Sequence, residues 1–168
     1  MRLLVIRHAI AVPRGTPGIA DDDRPLTPRG RRRFQTAARG LARIAARPDV
    51  LLTSPLLRAR STAEIAAKAW GRIKPTIEPA LAGDRLPELL ATLSAHPADA
   101  TVGVVGHEPH LSALLAALLG GAASDRLTFR KGGAALLDLS GGPVEGGRLL
   151  WYLPPKLLRT LARRGSAG

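Results

Sequence analysis

The sequence predicts a three-layer α/β/α fold with a mostly parallel central sheet and an antiparallel C-terminal edge. First, Leu3 to Ile6 form a continuous aliphatic run, which is typical of a parallel strand covered on both faces. Second, short aliphatic segments alternate with helical segments through most of the chain. Third, the Gly-rich link from Ser140 to Gly147 joins two final strands and indicates a hairpin. A length of 168 residues with 45% apolar content favours one globular domain over residues 1–168.

Composition narrows the functional classes. The chain has no Cys, which excludes thiol catalysis and thiolate metal sites. The first apolar run is too short for a signal peptide and the later ones are interrupted by Arg and Gly, so we expect a cytoplasmic enzyme without a membrane partner. The net charge of +12 and pI near 11.6 indicate a polyanionic partner. Aromatic residues are only 3% and basic residues are dispersed, so nucleic acid is the weaker candidate.

The elements of the first half follow in order. The first strand ends in Arg7 and His8, and a long loop from Val12 to Asp23 contains Pro, Gly and three consecutive Asp residues. Thr27 is the expected N-cap of a helix that begins at Pro28 and runs to about Ala46. This places Arg24 just ahead of a helix N-terminus.

The second strand, Val50 to Thr53, is followed by a capping residue and a proline, as at Thr27 and Pro28. Ser54 and Pro55 are expected to open a helix that runs to about Trp70 and contains Arg58 in its first turns. The segment from Ile73 to Leu81 is interrupted by two prolines, so we predict a weak strand near the sheet edge. A helix is expected from about Pro87 to Ala95.

The third clear strand, Thr101 to Val105, ends in Gly106 and His107 much as the first ends in Arg7 and His8. Two parallel strands that end in His bring both imidazoles to the same edge of a sheet. A further helix is expected after Glu108 and Pro109. It is followed by strands over 133–139 and 148–153 and a short basic helix.

Five groups that can carry positive charge therefore stand at strand ends or helix starts: Arg7, His8, Arg24, Arg58 and His107. Such a cluster is costly without an anion, and a phosphoryl group spreads its charge over three oxygens. One of the two histidines can then act as the nucleophile and form a phosphohistidine.

With these residues in view, the chain resembles the histidine phosphatase superfamily of phosphoglycerate mutase-like proteins, and within it the short SixA-type phosphohistidine phosphatases. The resemblance rests on four stretches in family order: Arg7-His8-Ala9, Arg24-Pro25-Leu26-Thr27, Ser54-Pro55-Leu56-Leu57-Arg58-Ala59 and Gly106-His107. It implies that His8 is the nucleophile and that Arg7, Arg58 and His107 hold the phosphoryl group. Arg24 matches the further Arg that this branch places in the pocket. Neither a metal nor a cofactor is expected.

The sequence departs from the family pattern in two places. Ala9 replaces the usual Gly of Arg-His-Gly, and residues 76–87 lack a convincing match to the Glu general acid of larger members. Asp84 is the best local proton donor. A weak donor favours phosphohistidine, whose imidazole leaves easily, so the expected partner is a phosphorylated protein domain.

Several alternatives stay open from the sequence. The substrate could be a small phosphorylated metabolite, cleaved by a phosphomonoesterase or a mutase of the same superfamily. A non-catalytic phosphate-binding protein would use the same arginines, and a nucleic-acid-binding role would rest on the positive charge alone. His107 and His110 could form a metal pair, although no third ligand is evident nearby.

Overall fold

The computed structural model describes residues 1–71, 73–121 and 127–163, and within them six strands and five α-helices. In chain order these are β1 (Arg2–Arg7), α1 (Pro28–Ile44), β2 (Val50–Thr53), α2 (Leu57–Ala69), β3 (Thr76–Ile77), a 3₁₀ turn (Pro79–Leu81), α3 (Leu86–Ser94), β4 (Thr101–Gly106), α4 (His110–Leu118), β5 (Ala134–Asp138), β6 (Arg148–Leu153) and α5 (Pro155–Arg163).

The strands form one sheet in the order β3-β2-β4-β1-β5-β6. β1 pairs in parallel with β4, and β2 pairs in parallel with β4 and β3. β5 pairs antiparallel with β1 and β6, so the two final strands form the antiparallel edge. The mixed sheet predicted from the sequence is confirmed, and β1 lies in its interior.

Each face of the sheet covers its own core, which explains the continuous aliphatic run of β1. Leu4 and Ile6 pack with α1, α2 and α5, whereas Leu3 and Val5 pack with α3 and α4. All four side chains are fully buried. A strand with helices on both faces has no solvent side, so its apolar residues do not alternate with polar ones.

The two expected helix caps have different outcomes. Thr27 caps α1 as predicted, because its Oγ1 accepts the Gly30 N–H at 2.9 Å and Pro28 is the first helical residue. The expected cap at Ser54 is wrong: α2 begins at Leu57 after Leu56 and lacks a side-chain cap hydrogen bond. Ser54 is fully buried beside His107, and its hydroxyl is used there.

Helix α5 crosses α1 at close range. A Cβ on Gly40 would overlap the backbone carbonyl oxygen of Leu158, so the two helix backbones meet where α1 has no side chain. Leu158 is fully buried in the same core as Phe34 and Leu41. This contact fixes α5 against the second half of α1, and the start of α5 lies beside the start of α1 and the chain that follows β1.

Within the described ranges, no helix combines the length and the hydrophobicity that a bilayer crossing would require.

Candidate active site

The parallel pairing of β1 with β4 brings the two predicted histidines together. Arg7 is opposite Gly106 in the register, and His8 donates its backbone N–H to the Gly106 carbonyl at 3.0 Å. The imidazole rings of His8 and His107 lie 4.9 Å apart between centroids. Both side chains are buried at the carboxyl edge of the sheet, where open α/β folds bind their ligands.

His8 is held in one tautomer by its own neighbour. Its Nδ1 lies 2.7 Å from the carbonyl oxygen of Ala9, which can only accept, so Nδ1 carries the proton. The lone pair of the neutral ring is therefore on Nε2. Burial is the main cause that lowers the pKa of His8 to about 3. The hydrogen bond to Ala9 opposes this shift, and the positive charges of Arg58 and Arg7 reinforce it. The ring is neutral at physiological pH and can act as a nucleophile.

His107 is oriented by a residue that the sequence placed in a helix cap. Its Nε2 lies 2.8 Å from Ser54 Oγ, and the same Oγ accepts the Leu56 N–H at 3.3 Å. Burial, followed by the charges of His8 and Arg58, lowers the pKa of His107 to about 3. Among the described residues, Nδ1 of His107 is buried without a hydrogen-bond partner.

Arg7 and Arg58 are both incompletely paired. Arg7 donates from one terminal nitrogen to the Phe129 carbonyl, and Arg58 donates to the Asp21 carbonyl at 2.6 Å. In the described part of the chain, the Nε atoms of both arginines are buried and lack partners. Burial is the main cause that lowers the pKa of each guanidinium, as expected for charges held away from water.

Asp21 links the arginines of the site and was not singled out from the sequence. Its carboxylate accepts from Arg24 Nε at 3.0 Å, from Arg58 at 3.3 Å and from Arg14 Nε at 2.9 Å. The Arg14 hydrogen bond is the largest of the causes that lower the pKa of Asp21 to about 2. Asp21 is therefore ionised at neutral pH and cannot donate a proton there. The available sequence signal was its position three residues before Arg24 in a run of acids.

Lys131 is a second residue near His8 that was not singled out from the sequence. It lines an opening together with Arg7, and its charge contributes to the low pKa of His8. Burial is the main cause that lowers the pKa of Lys131 itself, and the positive charges of Arg7, Arg24 and Arg58 lower it further. No local motif marks this lysine, because it reaches the site only through the segment that precedes β5.

Asp84, the predicted proton donor, is exposed and lines a small cavity with His110 and Ala113. No contact of its carboxylate with His8 or the arginines is observed among the described residues, and its role stays a prediction. The described part of the chain contains no group of three or more His, Asp or Glu residues arranged to hold a metal.

The arrangement is suited to an anion with several oxygens. In the described residues four buried side-chain polar atoms lack partners, and three of them belong to Arg7, Arg58 and His107. Buried polar groups in native proteins are normally satisfied, so three such atoms on side chains around His8 favour an anion-binding site here. A phosphoryl group offers three acceptor oxygens to these donors and a phosphorus atom to His8 Nε2.

Comparison with known proteins identifies the family and related structures. The family described as Histidine phosphatase superfamily (branch 1) matches residues 3–83. An uncharacterized protein of Picosynechococcus sp. is 38% identical over 136 residues, which cover 79% of this chain and 82% of that protein. The crystal structure of a protein from Agrobacterium tumefaciens that carries the name of the phosphohistidine phosphatase SixA superposes with a TM-score of 0.78 at 28% identity, covering 92% of this chain and 97% of that one.

The structure of a protein histidine phosphatase SixA in complex with tungstate superposes with a TM-score of 0.77 at 25% identity. That match covers 94% of this chain and 99% of the other. The segment that matches the family runs from β1 to the turn that precedes α3, so it includes Arg7, His8, Arg24 and Arg58. The chain therefore belongs to the histidine phosphatase superfamily and is a phosphatase of the SixA type.

Proposed function

We propose that this phosphatase hydrolyses phosphohistidine on a protein domain through a covalent phosphohistidine on His8. The observation that supports it most is the state of His8: a neutral ring with Nδ1 bonded to Ala9, beside buried guanidinium atoms without partners. A neutral imidazole with a free lone pair is a competent nucleophile, and cations stabilise the charge that develops on the phosphoryl oxygens.

In the first step, His8 Nε2 attacks the phosphorus opposite the nitrogen of the substrate imidazole. The new N–P bond forms while the old one breaks, and the electron pair of the old bond goes to the substrate ring. That ring carries a proton on its other nitrogen and leaves as neutral imidazole. His8 becomes a phosphorylated imidazolium whose Nδ1–H remains on the Ala9 carbonyl. Arg7, Arg58 and His107 bind the phosphoryl oxygens, and Arg24 assists them.

In the second step, a water molecule attacks the phosphorus of phosphorylated His8. The N–P bond breaks, its electron pair returns to Nε2, and the water gives one proton to solvent. Inorganic phosphate leaves and His8 is again a neutral ring. The positive charge that a metal ion would otherwise provide comes from side chains, so neither step requires a divalent ion.

The choice of substrate follows from the acids around the site. Expelling an alkoxide from a sugar phosphate requires a proton donor. Asp21 is held ionised, with its pKa near 2, and Asp84 is exposed. An imidazole that is already protonated leaves without such a donor, which favours phosphohistidine over a phosphate ester.

The test is chemical trapping. Enzyme quenched during turnover of a radiolabelled phosphohistidine domain should carry an acid-labile, base-stable phosphate. His8→Ala should abolish label and turnover, whereas His96→Ala, which removes a half-buried histidine of another region, should retain both. A His8→Ala variant that keeps most of its rate would exclude the mechanism. A sugar phosphate turned over about tenfold faster than the phosphohistidine domain would instead favour a small-metabolite phosphatase.

A further inference from the structure

A basic cavity lies beside the site and takes no part in the chemistry proposed above. It has a volume of about 390 Å³ and is enclosed by the chain after β1, the start of α1, the segment before β5 and the start of α5. Ala9 and Ile10, which follow His8 directly, form part of its wall. The basic residues that line it are Arg33, Arg130, Lys131, Lys156 and Arg159, and none of the described residues that line it is acidic.

These five basic residues form no ion pair within the described part of the chain. Among the described residues, every ion pair involves Asp21 or Asp138, and none includes a basic residue of the cavity. Burial, followed by the charges of Arg33 and Arg163, lowers the pKa of Arg159. The cations repel one another across the cavity, so an anionic ligand would be bound favourably there.

Lys131 is common to the cavity and to the surroundings of His8. This side chain lines the cavity and also contributes to the low pKa of His8. Arg130 and Lys131 border a second opening together with Arg7. An anion in the cavity can therefore belong to the same molecule as a phosphoryl group that is being transferred to His8.

We propose that the basic cavity is the docking site for an acidic segment adjacent to the phosphohistidine of the protein substrate. This proposal rests on the function proposed above and adds the surface that selects the partner. The cations are spread along the rim on long side chains, and Arg33, Arg130 and Lys156 are exposed. Such a distribution suits several carboxylates of a polypeptide better than one compact phosphate, which is bound by converging donors.

The composition of the cavity argues against nucleic acid as the occupant. Single strands are normally held by exposed aromatic rings that stack on the bases. The aromatic residue of the cavity wall is Phe34, which is only 2% exposed because it belongs to the core. An acidic polypeptide needs no such platform.

The experiment compares two substrates on two matched charge-reversal variants. The cavity variant is Arg33→Glu with Lys156→Glu, and the control is Arg47→Glu with Arg60→Glu, exposed residues that do not line the cavity. Both variants change the net charge equally and leave His8, the site arginines and Lys131 intact. The substrates are an acidic phosphohistidine domain and an aryl phosphate, which has no acidic segment.

The cavity variant should lose about tenfold in kcat/KM for the domain, mainly through KM, and stay within about twofold on the aryl phosphate. The control should stay close to the wild type on both substrates at moderate salt. Equal losses in the two variants would show a general charge effect and overturn the docking site. A parallel loss on both substrates would also overturn it, because the change would then act through His8.

A binding measurement separates this proposal from the proposed function. The unphosphorylated acidic domain should bind the wild type and the control variant, and bind the cavity variant about tenfold more weakly, in fluorescence anisotropy. If the domain binds in this way but its phosphohistidine is not hydrolysed, the function is wrong and the docking site stands. Equal binding to all three proteins, or a duplex oligonucleotide that binds in preference to the domain, would overturn the docking site.

Discussion

The imidazole rings of His8 and His107 lie 4.9 Å apart between centroids, with their planes tilted by 48°. Each ring is less than a tenth exposed, and burial lowers the pKa of each to about 3. Two imidazolium ions at this distance, close to Arg58, would repel one another strongly. The pair is therefore neutral over the physiological range, and it can receive a dianionic phosphoryl group without first losing protons.

Acidification should destabilise the fold before carboxylates titrate. The unfolded histidines bind protons near pH 6.5, whereas folded His8 and His107 do so only near pH 3. Between these values the unfolded state binds more protons, so stability falls as the pH falls. We expect a loss on the order of 2 kcal/mol per histidine between about pH 7.5 and about pH 4.5, measured by urea unfolding. His107→Gln should reduce this pH dependence, and an unchanged dependence would contradict the low pKa of His107.

Ser54→Ala should lower kcat because it removes the hydroxyl that lies 2.8 Å from His107 Nε2. We infer that this hydroxyl donates to Nε2, which leaves the proton on Nδ1 for a phosphoryl oxygen. The loss should be on the order of tenfold to a hundredfold, the size expected for misaligning one stabilising donor. Ser94→Ala removes an exposed hydroxyl on α3 and should leave the rate unchanged. A fully active Ser54→Ala variant would show that packing alone orients His107.

Asp21→Asn should weaken phosphoryl binding, since the carboxylate accepts from both Arg24 and Arg58. Without this charge the two guanidinium groups repel, and kcat/KM should fall about tenfold. Asp23→Asn is the matched control, because Asp23 is exposed and forms no ion pair among the described residues. The constant for inhibition by inorganic phosphate provides a second measurement. Tighter inhibition in Asp21→Asn would mean that Asp21 competes with phosphate instead of positioning the arginines.

Gly40→Ala should destabilise the protein although it improves helix propensity. The propensity gain is about 1 kcal/mol at most, whereas the new Cβ would overlap the Leu158 carbonyl oxygen. That oxygen belongs to the backbone of α5 and cannot rotate away, so we expect a net loss of about 1–3 kcal/mol by thermal unfolding. Gly83→Ala meets no atom within 4 Å and should change stability by less than about 0.5 kcal/mol. Equal stability of the two variants would disprove the close contact between α1 and α5.

Chelation of divalent metals should leave the rate unchanged. In the proposed mechanism Arg7, Arg24 and Arg58 supply the positive charge that magnesium supplies in many phosphoryl-transfer enzymes. The measurement is the initial rate on an aryl phosphate before and after treatment with a chelator. A rate that is lost with the chelator and restored by one divalent ion would revive a metal site at His107 and His110.

The sequence by itself determined the layered fold and the nucleophile candidate. Unbroken aliphatic strands can only be buried on both faces, and their polar endings, Arg7-His8 and Gly106-His107, must then meet at one edge. Tertiary structure alone decided which residues from distant parts of the chain contact the histidines and arginines of the site. Ser54 was expected to cap a helix, but the neighbouring strand brings His107 to its hydroxyl. Asp21 lay in a loop without periodicity, and Lys131 lies far from His8 in the chain. Helical and strand patterns encode which face of an element is buried, whereas contacts between distant side chains depend on how the elements pack.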